Sequence, residues 1–237
     1  MSVIHRFERL PSTQDELHRL AAAGAPAGTV VVAVEQEAGR GSRGRRWASP
    51  PGGLWLSFLC RPSQAVGVEV LTLRVGLAAA EALEQLGGVP PVGLKWPNDL
   101  MLRDRKVGGI LGEARWQGEA LAWVVVGLGL NVQNRLPDSV RTPPARLADW
   151  RPDLEPDHLL PPLLARLAPL ADSGSGLGPA DLEAFARRDW LAGRELVAPV
   201  RGRAAGIAPD GSLRVTLPDG RTVGVSSGPI VLPGEAA

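Results

Sequence analysis

The sequence predicts an α+β protein in which a main unit of strands and helices is followed by a small C-terminal β-barrel. Valine- and leucine-rich runs at residues 29–35 (TVVVAVE) and 54–60 (LWLSFLC) have the length and composition of strands. From residue 68 to 86 the apolar positions Leu71, Val75, Ala78, Ala82 and Leu86 recur at helical spacing instead. Two Pro-Asp-Gly triplets, at residues 209–211 and 218–220, punctuate valine- and leucine-bearing runs, and Asp-Gly between such runs is a strong hairpin signal.

In chain order, Ser12 with Asp15, or Thr13 with Glu16, has capping-box spacing. This starts a helix that runs to about Ala23 and stops near Gly24. The two strands follow, joined by a Gly/Arg-rich loop and the turn SPPGG, and the helix of residues 68–86 ends at Gly87 and Gly88. Short apolar runs at residues 92–94, 107–111 and 121–128 read as further strands. Residues 138–156, rich in proline and polar side chains, read as a segment wandering over the surface. Helical patterns return at residues 159–170 and 180–192, separated by the Gly/Ser stretch of residues 172–178. The chain thus divides into residues 1–192 and residues 193–237. The second part is too small to be very stable alone and is expected to dock on the first.

Composition narrows the function classes. At 237 residues with 44% hydrophobic content, the chain suits one medium globular unit rather than disorder. A formal net charge of +1 lacks the basic excess of a protein that lives on duplex DNA. Cys60 is the sole cysteine, so an intrachain disulfide is impossible and a reducing, cytoplasmic setting is expected. His5, His18 and His158 are scattered and form no zinc signature. The N-terminal MSVIHRFERL lacks a signal-peptide pattern, and no run approaches the roughly 20 apolar residues of a membrane span.

Four segments carry chemistry. Residues 38–47 (AGRGSRGRRW) pack three glycines and four arginines together. Glycine lets a ligand approach the backbone N–H groups, and arginine offers forked donors that match phosphate oxygens. Residues 94–100 (LKWPNDL) gather Lys95, Asn98 and Asp99 around Pro97, which holds Trp96 extended. Residues 104–111 (DRKVGGIL) place Lys106 just before Gly108 and Gly109. Residues 124–132 (VVVGLGLNV) form a strand interrupted by Gly127 and Gly129 and ended by Asn131, and strand glycines often mark close approach of a ligand or another backbone. Taken singly, each also fits an ordinary role: solvated lysines, a turn, packing glycines.

In this order and at these intervals the segments resemble the GRGRxGR-W, KWPND, K-x-x-G-I-L and G-x-G-x-N motifs of biotin protein ligase, also called biotin–[acetyl-CoA-carboxylase] ligase. The resemblance begins at Ser12-Thr13-Gln14 and covers most of the chain. It implies a class II aminoacyl-tRNA synthetase-like mixed sheet with helices, followed by the small β-barrel. It also implies that MgATP activates biotin to biotinyl-5′-AMP with release of pyrophosphate. Biotin then passes to one lysine of a biotin carboxyl carrier protein.

By the same resemblance Ser12, Thr13, Gln14 and Gln36 contact biotin, together with Arg40, Gly41 and Ser42 of the loop. Gly108, Gly109, Gly127 and Gly129 make room for its valeryl chain. Lys106 and Arg40 are the implied catalytic cations, with Lys106 bridging the biotin carboxylate and the α-phosphate. Arg43, Arg45, Trp47, Lys95, Asn98 and Asn131 fall to the nucleotide, and Asp99 to Mg²⁺ or to Lys95.

Two departures stand out. Where the family usually has a second loop arginine this chain has Ser42, which predicts weaker retention of the adenylate unless Arg43 reaches in instead. At residues 228–233 (GPIVLP) it lacks the charged residues of the family's C-terminal GE-x-SL-R pattern, so the barrel is expected to serve carrier docking and support. The Ser-Thr-Gln motif is reached by Ser12. This predicts a monofunctional form without an N-terminal DNA-binding domain, repressor activity or specific DNA binding. A homodimer is left open.

Overall fold

The structure, a computed structural model, describes residues 3–62, 67–137, 142–174 and 176–235. Its centre is a seven-stranded mixed sheet of β1 (Ile4–Leu10), β2 (Val30–Gln36), β3 (Leu54–Cys60), β4 (Val92–Lys95), β5 (Asp99–Leu102), β6 (Arg105–Gln117) and β7 (Ala120–Leu130). They lie in the order β1-β2-β3-β7-β6-β5-β4, with β1 parallel to β2 and every other neighbouring pair antiparallel.

Among the described residues, four α-helices accompany it: α1 (Thr13–Ala22), α2 (Val68–Leu86), α3 (Pro156–Leu167) and α4 (Pro179–Ala186). The Ser12 hydroxyl caps α1 by accepting from the Gln14 N–H, and Asp15 and Glu16 occupy its first turn, where the positive end of the helix dipole favours them. Leu17 and Ala21 of α1 pack on Val31, Ala33, Leu59 and Val125, one face of the sheet. The opposite face, bearing Val30, Val32, Phe58 and Val126, belongs to the larger core built with α2 and α3. Strand β3 is buried along its whole length, and a strand covered on both faces reads as an unbroken apolar run.

The C-terminal strands β8 (Glu195–Leu196), β9 (Gly202–Ile207), β10 (Leu213–Thr216) and β11 (Thr222–Val225) form a second antiparallel sheet in the order β11-β10-β9-β8. The expected small barrel is therefore an open four-stranded sheet among the described residues: β8 and β11 are its edges, and an isolated bridge joins Ala198 to Val231. Leu196, Ala204, Ile207, Leu213, Val215 and Val225 join the core that surrounds α2.

Several expectations change. Strands β1 and β5 were not legible as strands. The first is a charged edge strand, and the second begins inside a motif that reads as a turn, just after a cis Trp96–Pro97 peptide. The helix expected over residues 180–192 ends at Ala186, and the chain then runs along β4. There the Leu94 N–H donates to Arg188 O (2.7 Å) and the Trp190 N–H to Leu94 O (3.0 Å). The helix expected from residue 159 starts at Pro156 and runs into a 3-10 turn, Ala168–Leu170.

Residues 138–141 of the supposed surface segment, and Ser175 of the Gly/Ser stretch, lie outside the described residues. The rest of the former segment runs along the surface, with Pro143, Pro152 and Asp153 exposed, but it is pinned down at intervals. Ala145 and Leu147 are fully buried, and Lys106 exchanges backbone hydrogen bonds with Pro143 and Ala145.

Candidate active site

One strand sets the floor of the site. Every second residue of β7 from Trp123 onward faces the α1 side: Trp123 bonds to His18 and Val125 packs in the α1 core. A methyl group at Gly127 would stand 2.5 Å from Gln14 Oε1, and one at Gly129 would stand 2.5 Å from Trp47 Nε1. Beyond Val125 the strand thus thins to bare backbone, and a cavity of about 510 Å³ opens over it. That volume is in the range of small-molecule sites.

The motifs converge on this cavity. Ser12, Thr13 and Gln14 line it from the start of α1, and Gln36 from the end of β2. Arg40, Gly41, Ser42, Arg45, Arg46 and Trp47 line it from the Gly/Arg loop. Asn98, Asp99, Lys106, Gly109, Gly127, Gly129 and Asn131 line it from the sheet and its turns.

Its polar groups are arranged in advance. Gln36 Oε1 accepts from the Thr13 N–H (2.8 Å) and hydroxyl (3.0 Å), while its Nε2 donates to the Ser49 hydroxyl (2.8 Å). The Thr13 hydroxyl also meets that of Ser57 (2.8 Å). By contrast, both amide atoms of Gln14 and the indole Nε1 of Trp47 are buried without a hydrogen-bond partner among the described residues. A buried polar group left unmatched costs about 1–3 kcal/mol. Both residues line the cavity wall.

Charged side chains line the cavity as well. The Lys106 ammonium pairs with Asp99 Oδ1 and lies 5.1 Å from the centre of the Trp47 ring. Arg40 Nη1 donates to Asp15 Oδ1 (2.6 Å), and its Nε and Nη2 donate to the two oxygens of Glu113 (3.2 and 3.0 Å). The hydrogen bonds from His18 and Arg40, with the Gln14 amide beside them, outweigh burial and hold the Glu113 carboxyl down at about 2. Burial opposes the Arg40 charge, yet its two carboxylate partners raise its pKa overall.

Three assigned residues stand elsewhere. Lys95 does not line the cavity; its ammonium lies 4.8 Å from the centre of the Trp190 ring. Gly108 faces the core, where an added methyl group would strike Leu130 Cδ2 (2.6 Å) and Gly129 O (2.8 Å). Arg43 sits in the left-handed region (φ 61°) and does not line the cavity. It is Arg45 that meets Ser42, donating to its hydroxyl (2.9 Å) and its carbonyl (3.1 Å).

The Lys95–Asp99 motif is thus split. Asn98 and Asp99 face the site, while the Trp96 Nε1–H donates to Gly211 O (2.9 Å) in the C-terminal unit. The sequence left Asp99 to Mg²⁺ or to Lys95; in the structure its carboxylate pairs with the Lys106 ammonium.

Arg46, Leu111, Thr142 and Pro144 also line the cavity, and none was singled out from sequence. Nor were Asp15, His18 and Glu113, which stand behind Arg40. Parity along β6 offered the signal for Glu113, since Gly109, Leu111 and Glu113 alternate onto one face, but the strand had been read as ending at residue 111. Cys60 is buried, which pushes its thiol up to about 12 and leaves it inert as a nucleophile. Among the described residues no group of three or more His, Cys, Asp or Glu could hold a metal ion, and no helix is long and apolar enough to cross a membrane.

Residues 6–131 match the model of the biotin/lipoate A/B protein ligase family. The bifunctional ligase/repressor of Bacillus subtilis is 38% identical over 137 residues, 56% of this chain and 42% of that protein. The chain spans about two fifths of the length of the first such relatives it matches. The biotin–[acetyl-CoA-carboxylase] ligase of Mycobacterium tuberculosis is 36% identical over 240 residues, covering 93% of this chain and 85% of that one. Among solved structures, biotin protein ligase from Aquifex aeolicus in complex with biotin and ATP superposes with a TM-score of 0.80 at 27% identity, over 97% of this chain and 98% of that one.

Proposed function

The chain belongs to the biotin/lipoate A/B protein ligase family, and from that premise we propose that it activates biotin with ATP and transfers it to a lysine of a biotin carboxyl carrier protein. The observation that carries this is a single cavity holding two kinds of recognition. At one end are the Gln14 amide and the Thr13–Gln36 pair, suited to the neutral, polar ureido ring. At the other is the Lys106 ammonium, fixed by Asp99 and the Trp47 ring.

The first step joins two anions. A biotin carboxylate oxygen attacks the α-phosphorus of ATP, the bond to the bridging oxygen of pyrophosphate breaks, and biotinyl-5′-AMP forms. Bringing carboxylate and phosphate together requires positive charge between them, and preorganised charge is worth on the order of 10²–10³-fold in rate per donor. Lys106 supplies it; Arg45 and Arg46, on the same cavity, extend the field toward the phosphates. Asn98, Asn131 and Trp47 take the nucleotide.

Mg²⁺ keeps several waters and is commonly held by one or two carboxylates plus substrate phosphates. Asp99 is a carboxylate on the cavity, so the donor set fits an ion that travels with the nucleotide. Asp99 would hold it, and it would neutralise the departing pyrophosphate. In the second step the carrier lysine attacks the acyl carbon and AMP leaves, so no protein nucleophile is needed.

The setting that fits the sole, buried cysteine is a reducing one, the cytoplasm. With a formal net charge of +1, DNA binding beyond a weak, salt-sensitive association forms no part of this activity. The test is biotin-dependent exchange of pyrophosphate into ATP, followed by labelling of an apo carrier domain. Exchange with biotin but little with lipoate is the expected result; exchange driven by lipoate instead, or by neither acid, would overturn the assignment.

A further inference from the structure

A chain of side-chain hydrogen bonds runs behind the site, and its direction is fixed by one donor. The indole Nε1–H of Trp123 can only donate, and it lies 3.0 Å from His18 Nδ1. His18 Nδ1 therefore accepts, its proton resides on Nε2, and Nε2 donates to Glu113 Oε2 (3.0 Å). Glu113 in turn receives Arg40 through two nitrogens, and the remaining arm of Arg40 reaches Asp15, one turn before His18 on α1. The chain links β7, α1, β6 and the Gly/Arg loop.

The loop needs such a tie. It contains three glycines, and Arg43 and Gly44 both adopt positive φ (61° and 70°). Several of its own bonds are internal, including Gly41 N–H to Arg45 O and Trp47 N–H to Gly39 O. Arg40 ties it by ion pairs to α1 and β6, beside the contact of Trp47 with the Lys106 ammonium.

We propose that His18 and Glu113 are positioning residues that hold the Gly/Arg loop over the cavity through Arg40, and so control how long the reactive adenylate stays covered. His18 orients the Glu113 carboxylate; Glu113 presents both oxygens to the guanidinium; the loop carries Ser42, Arg45 and Trp47 into place. Arg40 acts as the clasp of this loop, its charge already met by two carboxylates. The timing of adenylate release rests on the function proposed above, whereas the clasp itself does not.

Two readouts separate the parts. Trypsin cuts after arginine, so the loop reports its own opening, and where opening is fast relative to cutting the rate follows the open population. First cleavage within residues 40–46 is expected to quicken about tenfold in Glu113→Gln and His18→Ala, with His18→Gln, which keeps a donor, recovering much of the protection. In the same variants biotinyl-5′-AMP dissociation should quicken about tenfold, while adenylate formation at saturating substrates changes less than about threefold. Leu17→Ala, which removes a fully buried neighbour on α1, should lower thermal stability without this selective effect on the loop. Should His18→Ala fold poorly, Trp123→Phe removes the first donor while keeping an aromatic ring, and a smaller increase in loop cleavage is expected. Wild-type loop protection in folded Glu113→Gln, or loop cleavage in Leu17→Ala rising as much as in Glu113→Gln, would overturn the proposal. Wild-type protein that makes no adenylate while the cleavage pattern holds would overturn the function and leave the clasp standing.

Discussion

The glycines of β6 and β7 allow a test that separates a cavity floor from ordinary packing. In Gly129→Ala the new methyl group would lie 2.5 Å from Trp47 Nε1, 3.0 Å from Cε2 and 3.3 Å from Cδ1. Ordinary carbon contacts begin near 3.5 Å, so the indole must recede by roughly 1 Å. That movement carries the ring away from the Lys106 ammonium, now 5.1 Å from its centre, and disturbs the place where nucleotide and carboxylate meet. A misplacement of about 1 Å in a positioned site can cost on the order of 10²-fold. Gly129→Ala should therefore lower kcat/KM for adenylation about 100-fold, with a change in tryptophan fluorescence and only a modest fall in Tm, since Trp47 sits on a loop. Gly108→Ala is the contrast. Its methyl group would strike Leu130 and the Gly129 carbonyl on the core side, so overpacking by about 1–3 kcal/mol should appear in urea unfolding before any selective loss of activity. The assay is pyrophosphate exchange beside equilibrium unfolding for both variants. Normal adenylation and unaltered fluorescence in Gly129→Ala would refute the assignment of Trp47 to the cavity roof.

Lys106→Ala removes the cation that Asp99 and Trp47 hold in place and should depress adenylate formation at least tenfold in single-turnover assays; near-normal rates would move the central charge elsewhere. Ser42→Arg should slow release of biotinyl-5′-AMP and reduce stray biotinylation of bystander lysines, and because Arg45 is the residue on Ser42, Arg45→Ala rather than Arg43→Ala should make the wild-type site leakier. Glu113 titrates at about 2 in the folded protein against an ordinary 4.5, so its contribution is complete well above 4.5 and is lost as pH falls through about 2. With its side chain 23% exposed, the stability gap between wild type and Glu113→Gln should narrow by about 2 kcal/mol at most between pH 7 and pH 3 in urea unfolding. A gap that does not change with pH would show that Glu113 does not act there as an ion.

The parts of the fold that announced themselves were those whose local pattern agrees with their burial. Strands β2 and β3 and helix α2 are apolar at the right period because the sheet is covered on both faces. Strand β1 was hidden because it is an edge: only Leu10 of its seven residues is buried, so it alternates without an apolar run. Strand β5 was hidden because its first residue, Asp99, belongs to a motif that reads as a turn, and four residues give periodicity little to act on. The segment after residue 141 looked like surface for its prolines, yet Pro143 and Pro144 offer carbonyls that need no N–H of their own: they accept from Lys106 and Arg105. In the site, residue types were legible but their facing was not. Gly108 and Gly109 are adjacent and so point to opposite sides of β6, and Lys95 shares a motif with Asp99 but turns toward Trp190. Support contacts such as His18 to Glu113 join residues 95 positions apart and leave no local trace.

Strand β7 also behaves as a depth gauge. Along one face its side chains descend from indole at Trp123, through valine at Val125, to bare backbone at Gly127 and Gly129. What stands above follows that descent: helix α1 over the tall end, Gln14 at the step, and the roof of the loop at the low end. The reach of the cavity along the sheet is thus written in side-chain height rather than in a separate wall. Raising the floor at Gly127 would push Gln14 into the space and shorten it, whereas trimming Val125 would trade helix support for length. The size of acid this scaffold accepts and the anchorage of its first helix are two readings of the same graduated strand.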